Sequence, residues 1–266
     1  MKVWLLGIPY DASSSYLRGA AEAPARIRQA LVCASSNLSA EDGTDLGADG
    51  RWGDAGDAAL SNDRSGYWAV EPACAAILTG EHRLLALGGD HAITYPVVRA
   101  HAACHPRLAV LHIDAHPDLY DAFDGDRYSH GSPFARICEE RLAARMVQVG
   151  IRAATPEQRA QAQRFGVETI EMRQLPLSGS LKFSDPIYLS IDLDGLDPAF
   201  APGVSHPEPG GLGVRDLLGL IQTVEGRVIG ADIVELNPAR DPQGITAMVA
   251  AKIVKELIAR MLRDGG

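Results

Sequence analysis

Leu108-Ala109-Val110-Leu111-His112-Ile113 runs directly into Asp114-Ala115-His116-Pro117-Asp118. The apolar run reads as a buried strand, and Pro117 marks the point where the chain turns away behind a polar cluster. Three other runs have the same form. Arg83–Leu87 leads to Gly88-Gly89-Asp90-His91, and Ile187-Tyr188-Leu189 leads to Ser190-Ile191-Asp192-Leu193-Asp194-Gly195-Leu196-Asp197-Pro198. Val228–Ala231 leads to Asp232-Ile233-Val234-Glu235-Leu236-Asn237-Pro238. Ligands of open α/β sheets bind beyond the carboxyl ends of the strands, so the four clusters belong on one edge of one sheet.

The rest of the chain supports that sheet. Strands are predicted at Val3–Leu6, Arg83–Leu87, Leu108–Ile113, Met146–Val149, Glu168–Ile170, Ile187–Ile191 and Val228–Ile233. Between them, apolar spacing and Pro or Thr-Pro starts predict helices near Pro24–Cys33, Tyr67–Leu78, Tyr95–His105, Pro133–Arg141, Pro156–Phe165, Val214–Val224 and Gly244–Leu262. This alternation predicts an α/β fold with a mostly parallel sheet covered on both faces. With no internal repeat or low-complexity linker, residues 1–266 read as a single domain. Ser35–Ser65, rich in Gly, Asp, Ala and Ser, reads as a long surface excursion.

Composition narrows the partners. Of the 266 residues 46% are apolar and 22% charged, which fits a globular chain. The net charge is −9, and 21 of the 34 acids are aspartates. A pI near 5.3 without basic runs argues against nucleic acid or an anionic membrane and favours a small cationic ligand. No window is long and apolar enough to span a bilayer, and the short run Met1–Pro9 reads as a first strand, not a leader. Cys33, Cys74, Cys104 and Cys138 are widely spaced, as expected of reduced thiols in a cytoplasmic protein.

The polar clusters carry metal chemistry. On an extended segment residues i and i+2 share a side, which pairs Asp114 with His116 and Asp192 with Asp194, while Asp118 folds back after Pro117. With His91 these make six ligands, mostly hard oxygens, suited to Mn²⁺ and compatible with Fe, Co, Ni or Zn. Any one of these aspartates alone reads as a solvated loop residue. Converging without a cation, they would repel one another and be costly to bury. Six ligands suit two ions sharing carboxylates, and such a pair, about 3.5–4 Å apart, turns water into hydroxide at neutral pH. Glu235 could then fix a planar cation by bidentate hydrogen bonds, and His130 in Ser129-His130-Gly131 could pass a proton to a leaving amine.

In order, the segments resemble the GGDH, DAHxD, SxDxDxxDP and DxxExxP motifs of the arginase/agmatinase (ureohydrolase) family. Gly7-Ile8-Pro9-Tyr10-Asp11, Pro24-Ala25-Arg26-Ile27-Arg28 and Trp52-Gly53-Asp54-Ala55-Gly56-Asp57 extend the resemblance over nearly the whole chain, agmatinase-like members in particular. It implies a three-layer α/β/α fold with about eight strands, a binuclear Mn²⁺ centre, hydrolysis of a guanidinium to urea plus an amine, and a homotrimer or homohexamer. It also implies one ion on His91, Asp114, Asp118 and Asp192 and the other on Asp114, His116, Asp192 and Asp194. Asp118 would accept a hydrogen bond from the bridging hydroxide, Glu235 would orient the guanidinium and His130 would protonate the amine.

Substrate choice falls to loops. Leu119–Ser129 carries Asp121, Asp124 and Asp126 against one arginine, Arg127, which favours a cationic tail and hence agmatine, hydrolysed to urea and putrescine. Arginine is disfavoured because Arg152 is followed by Ala153-Ala154, where arginases carry Asp. Guanidinobutyrate, guanidine, formiminoglutamate and arginine are the alternatives, Arg127 being a possible carboxylate partner. Ser205-His206-Pro207 departs from the GTP of many relatives and puts His206 in reach of the pocket. A non-catalytic, metal-bound subunit or sensor is the reading from another class; retention of both His130 and Glu235 speaks against it.

Overall fold

The computed structural model describes residues 1–176 and 178–265. Leu177 and Gly266, both within the span expected to be one domain, lie outside the described residues. Among the described residues the strands are β1 (Val3–Gly7), β2 (Trp52–Asp57), β3 (Arg83–Leu87), β4 (Ala109–Ile113), β5 (Arg145–Ile151), β6 (Glu168–Glu171), β7 (Ile187–Asp192) and β8 (Val228–Val234). The α-helices are α1 (Ala23–Leu31), α2 (Arg64–Ile77), α3 (Thr94–Cys104), α4 (Pro133–Glu139), α5 (Pro156–Phe165), α6 (Val214–Thr223) and α7 (Ile245–Arg263). All the strands pair in parallel in one sheet of order β2-β1-β3-β8-β7-β4-β5-β6. This is the three-layer α/β/α architecture expected from the alternation of elements.

The central strands are apolar because both faces are covered. Residues such as Leu85, Leu111, Leu189 and Ile233 pack against α1, α6 and α7 on one side. Leu84, Val110 and Tyr188 pack under α2, α3 and α4 on the other. Local signals set the helix ends. Thr155 and Gln158 close a capping box at the start of α5, which stops at Gly166 with φ 69°. Asp63 accepts the Ser65 and Gly66 amides and starts α2 ahead of the predicted Tyr67.

The expectation for Ser35–Ser65 needs correction, because β2 lies within it. Its sequence, Trp-Gly-Asp-Ala-Gly-Asp, sits on an edge beside β1 with four of six residues exposed, so it shows no apolar pattern. The rest of the excursion folds through side-chain turns: Asp42, Asp45 and Asp49 each accept the amide two residues on, at 2.8–2.9 Å. Among the described residues no helix is long and apolar enough to cross a membrane.

Candidate active site

The strand order puts β3, β8, β7 and β4 side by side, so the four polar clusters share one edge of the sheet. Glu235, 144 residues beyond His91 in the chain, accepts the His91 backbone N–H at 2.9 Å. Asp192 ends β7 and takes the Asp194 amide at 2.8 Å, winding Leu193–Gly195 into a 3₁₀ turn. That turn replaces the extended i, i+2 geometry expected for the pair, and it brings Asp194 Oδ2 to 3.1 Å from His116 Nδ1. Asp118 (φ 50°) and Glu235 (φ 66°) both occupy the left-handed region, which is costly for non-glycine residues and concentrates at working sites.

The surroundings of His91 show what the cluster needs. Ser190 Oγ donates to Asp232 Oδ1 at 2.7 Å, so it accepts from His91 Nε2 at 3.0 Å. The ring proton therefore sits on Nε2, and Nδ1 turns a bare lone pair toward Asp118 Oδ2 at 3.0 Å and Asp114 Oδ2 and Asp192 Oδ2 at 3.2 Å. Nδ1 is buried and has no hydrogen-bond partner. One lone pair facing three carboxylates is stable only with positive charge between them, and spacings of 3.0–3.2 Å match neighbouring ligands around an octahedral ion with bonds of roughly 2.1 Å. Without an ion, burial and the charges of Asp194 and Asp114 hold the Asp192 carboxyl well above its usual range. Burial and Asp114 push Asp194 to about 7. The donor set thus fits a pair of hard divalent cations, and the second half is formed by His116 Nδ1, Asp194 Oδ2 and, at 3.5 Å, Asp114 Oδ1.

Glu235 and His130 stand beside this cluster. Burial raises the Glu235 carboxyl, but the contacts with His130 and the His91 amide outweigh it and leave it below the usual glutamate value. Burial opposes charge on His130, yet Glu235 Oε1, 3.4 Å from Nδ1, lifts its pKa to about 9. Ser15 Oγ lies 2.7 Å from His130 Nε2. A cavity of about 170 Å³ opens over them, lined by His116, Asp118, Asp192, Asp194, His130 and Glu235 and also by Ser15, Tyr120, Phe123, Gln158 and His206.

The 119–129 loop differs from its sequence reading. Asp121 is held by Arg127 at 2.6 Å and Arg136 at 3.2 Å, Asp126 pairs with Arg64, and Asp124 is exposed. Arg127 also pairs with Glu139 at 2.9 Å. Tyr120 and Phe123 represent the loop in the cavity wall, and none of these charged side chains does. Arg152 is likewise occupied, donating to the carbonyls of Asp194 at 2.7 Å and Glu208.

The sequence assigned no role to Ser190 and Asp232, the first residues of their polar clusters, nor to His112 and Gln148, yet all four support the ligand-bearing residues from below. Each interrupts an otherwise apolar central strand, and a buried polar residue there needs partners. That interruption was the signal available.

A parallel α/β sheet with a carboxylate- and imidazole-lined cation site at its central strand ends defines a metal-assisted hydrolase class. The sequence model of the arginase family matches residues 1–259, and the chain belongs to that family. It is 47% identical to "Arginase 1, mitochondrial" of Oryza sativa subsp. indica, over 97% of this chain and 81% of that protein. The solved structure of arginase from Medicago truncatula superposes with a TM-score of 0.93 at 45% identity, covering 98% of this chain and 87% of that one. Agmatine ureohydrolase of Thermoplasma volcanium also superposes, at a TM-score of 0.86 and 32% identity, covering 98% of this chain and 90% of that one. The protein is an enzyme that hydrolyses guanidino C–N bonds, in a family that depends on two metal ions.

Proposed function

We propose that this enzyme hydrolyses L-arginine to urea and ornithine. The observation that carries this substrate is the pairing of the 119–129 loop: Asp121 and Asp126 are bound to arginines, and neither they nor the exposed Asp124 lie in the cavity wall, so the loop brings no acidic side chain there for the tail of agmatine. The 47% identity to a plant arginase points the same way. His206, Ser15, Gln158 and Tyr120 are the polar lining groups left to receive the α-carboxylate and α-amine.

In this reading one Mn²⁺ would be held by His91, Asp114, Asp118 and Asp192 and the other by Asp114, His116, Asp192 and Asp194. The ion pair would supply an acidified water as nucleophile at neutral pH. Glu235, kept ionised by its neighbours, accepts two guanidinium N–H groups and so points the central carbon into the cluster. Asp118 would accept a hydrogen bond from that water and fix its direction. His130 holds a proton up to about pH 9 and delivers it from Nδ1 to the departing amine, with Ser15 steadying the ring at Nε2. The same reading takes residues 1–266 as one domain, assembled as a trimer or hexamer in the cytoplasm, where four free thiols stay reduced.

The test is urea release by the Mn-loaded protein from arginine, agmatine, guanidinobutyrate and guanidine, with formiminoglutamate followed by its own product. Arginine is expected to exceed agmatine by at least about tenfold in kcat/KM. A preference for agmatine overturns the substrate, and no turnover of any compound with two ions bound overturns the catalytic roles.

A further inference from the structure

A row of polar side chains crosses the sheet just below the ion-facing residues. Gln148, His112, Ser190 and Asp232 are register partners on β5, β4, β7 and β8, and all four are fully buried. Ser190 and Asp232 set the proton of His91, as described above. The other half of the row acts on Asp114.

Gln148 Nε2 lies 2.7 Å from the Pro117 carbonyl and 3.0 Å from His112 Nδ1. A carbonyl only accepts, so the amide nitrogen is the atom that faces it, and its second hydrogen is directed to His112 Nδ1. His112 Nδ1 must then be an acceptor, which leaves the proton of the neutral ring on Nε2. That nitrogen is 2.8 Å from Asp114 Oδ2. Phe134 stacks on the imidazole at 3.8 Å between ring centres, so the ring cannot swing away. Asp114 Oδ1 is meanwhile fixed by the His116 amide at 2.5 Å.

We propose that Gln148 and His112 form a positioning relay that locks Asp114 as one of the two carboxylates shared by the ions. Held as the Nε2–H tautomer, His112 donates to Oδ2 and turns that oxygen toward His91, Asp118 and Asp192 while Oδ1 faces His116. The inference rests on the proposed ion assignment, and the relay acts through Asp114 without touching substrate. Partners of this kind typically govern metal affinity by about 10–100-fold.

The experiment titrates Mn²⁺ into wild type, His112→Phe and His112→Gln by calorimetry, with bound metal counted by mass spectrometry. Phe keeps the stacking and removes the donor; Gln restores an amide N–H near the Nε2 position. The Phe variant is expected to bind Mn²⁺ about 10–100-fold more weakly and the Gln variant to stay near wild type. Equal affinity for wild type and Phe, or loss in Gln as large as in Phe, overturns the relay. Wild type that binds no ion overturns the ion assignment instead. Should the Phe variant not fold, ¹⁵N spectra of His112 in metal-free and Zn²⁺-loaded wild type decide. A pyrrole-type signal on Nε2 is expected, and one on Nδ1 overturns the relay.

Discussion

His91 and His116 offer the same kind of imidazole nitrogen to the same aspartate, yet they stand in opposite surroundings. His91 is completely buried, backed by Ser190 and through it by Asp232, which also accepts from Tyr188 at 2.7 Å and Thr94 at 2.8 Å. The His116 side chain is 28% exposed, lines the cavity, and has Asp194 and Asp114 as its charged neighbours. One half of the centre is therefore built by the fold before any ion arrives. The other depends on the ion to complete it, which suits the side from which substrate enters.

Asp114 is, with Asp192, common to both halves and is the one that faces both His91 and His116, so its loss gives the largest effect. Asp114→Asn keeps the shape and removes the charge and one acceptor. It is expected to abolish tight binding of both ions and to lower urea release by at least about 10³-fold. Metal counting after gel filtration checks it. Retention of one ion with measurable turnover would show that the halves do not share this carboxylate.

Stability should separate the halves next. In the metal-free protein a proton on His91 is held by the contacts of Asp114, Asp118 and Asp192, which raise its pKa well above normal despite burial. His91→Asn removes that proton from among three buried carboxyl groups, an effect of about 3 kcal/mol or more. His116→Asn, at the exposed edge, should cost far less, because solvent can take over its role. Urea melts of the two metal-free variants make the comparison; equal midpoints would erase the distinction between a preformed and an ion-completed half.

The difference between the halves also explains what was legible in the sequence. The ligands could be read because Asp114, His116, Asp118, Asp192 and Asp194 break off apolar runs at strand ends, where polarity marks a site. The support of the buried half was not, because His112 lies inside its run and the partners of Ser190 and Asp232 are set by register across β4, β7 and β8. Strand β2 escaped notice for the reverse reason: an exposed edge strand of Gly, Asp and Ala carries no burial pattern. The pairing of the loop aspartates was not legible because a count of charges omits it. Arg64 and Arg136, which neutralise Asp126 and Asp121, belong to α2 and α4, 62 and 15 residues away in the chain.

The smallest effect concerns the cavity side alone. The His130 pKa is raised to about 9 in the folded protein, against 6.5 for the free side chain. A raised pKa means that the proton stabilises the native state: its contribution is complete below pH 6.5 and is lost as pH rises through about 9. Thermal melts of the metal-free protein should thus show wild type losing its advantage over His130→Asn across that window. Glu235 is the chief source of the shift, so Glu235→Gln should drop the NMR midpoint of His130 by roughly two pH units as burial acts with less opposition. A midpoint unmoved in Glu235→Gln would assign the charge on His130 to Asp118 and Asp90 and remove the Glu235 contact from the proton's control. The same variant, with Glu235 no longer anionic, should still bind both ions, since its place is beside the halves and not within either.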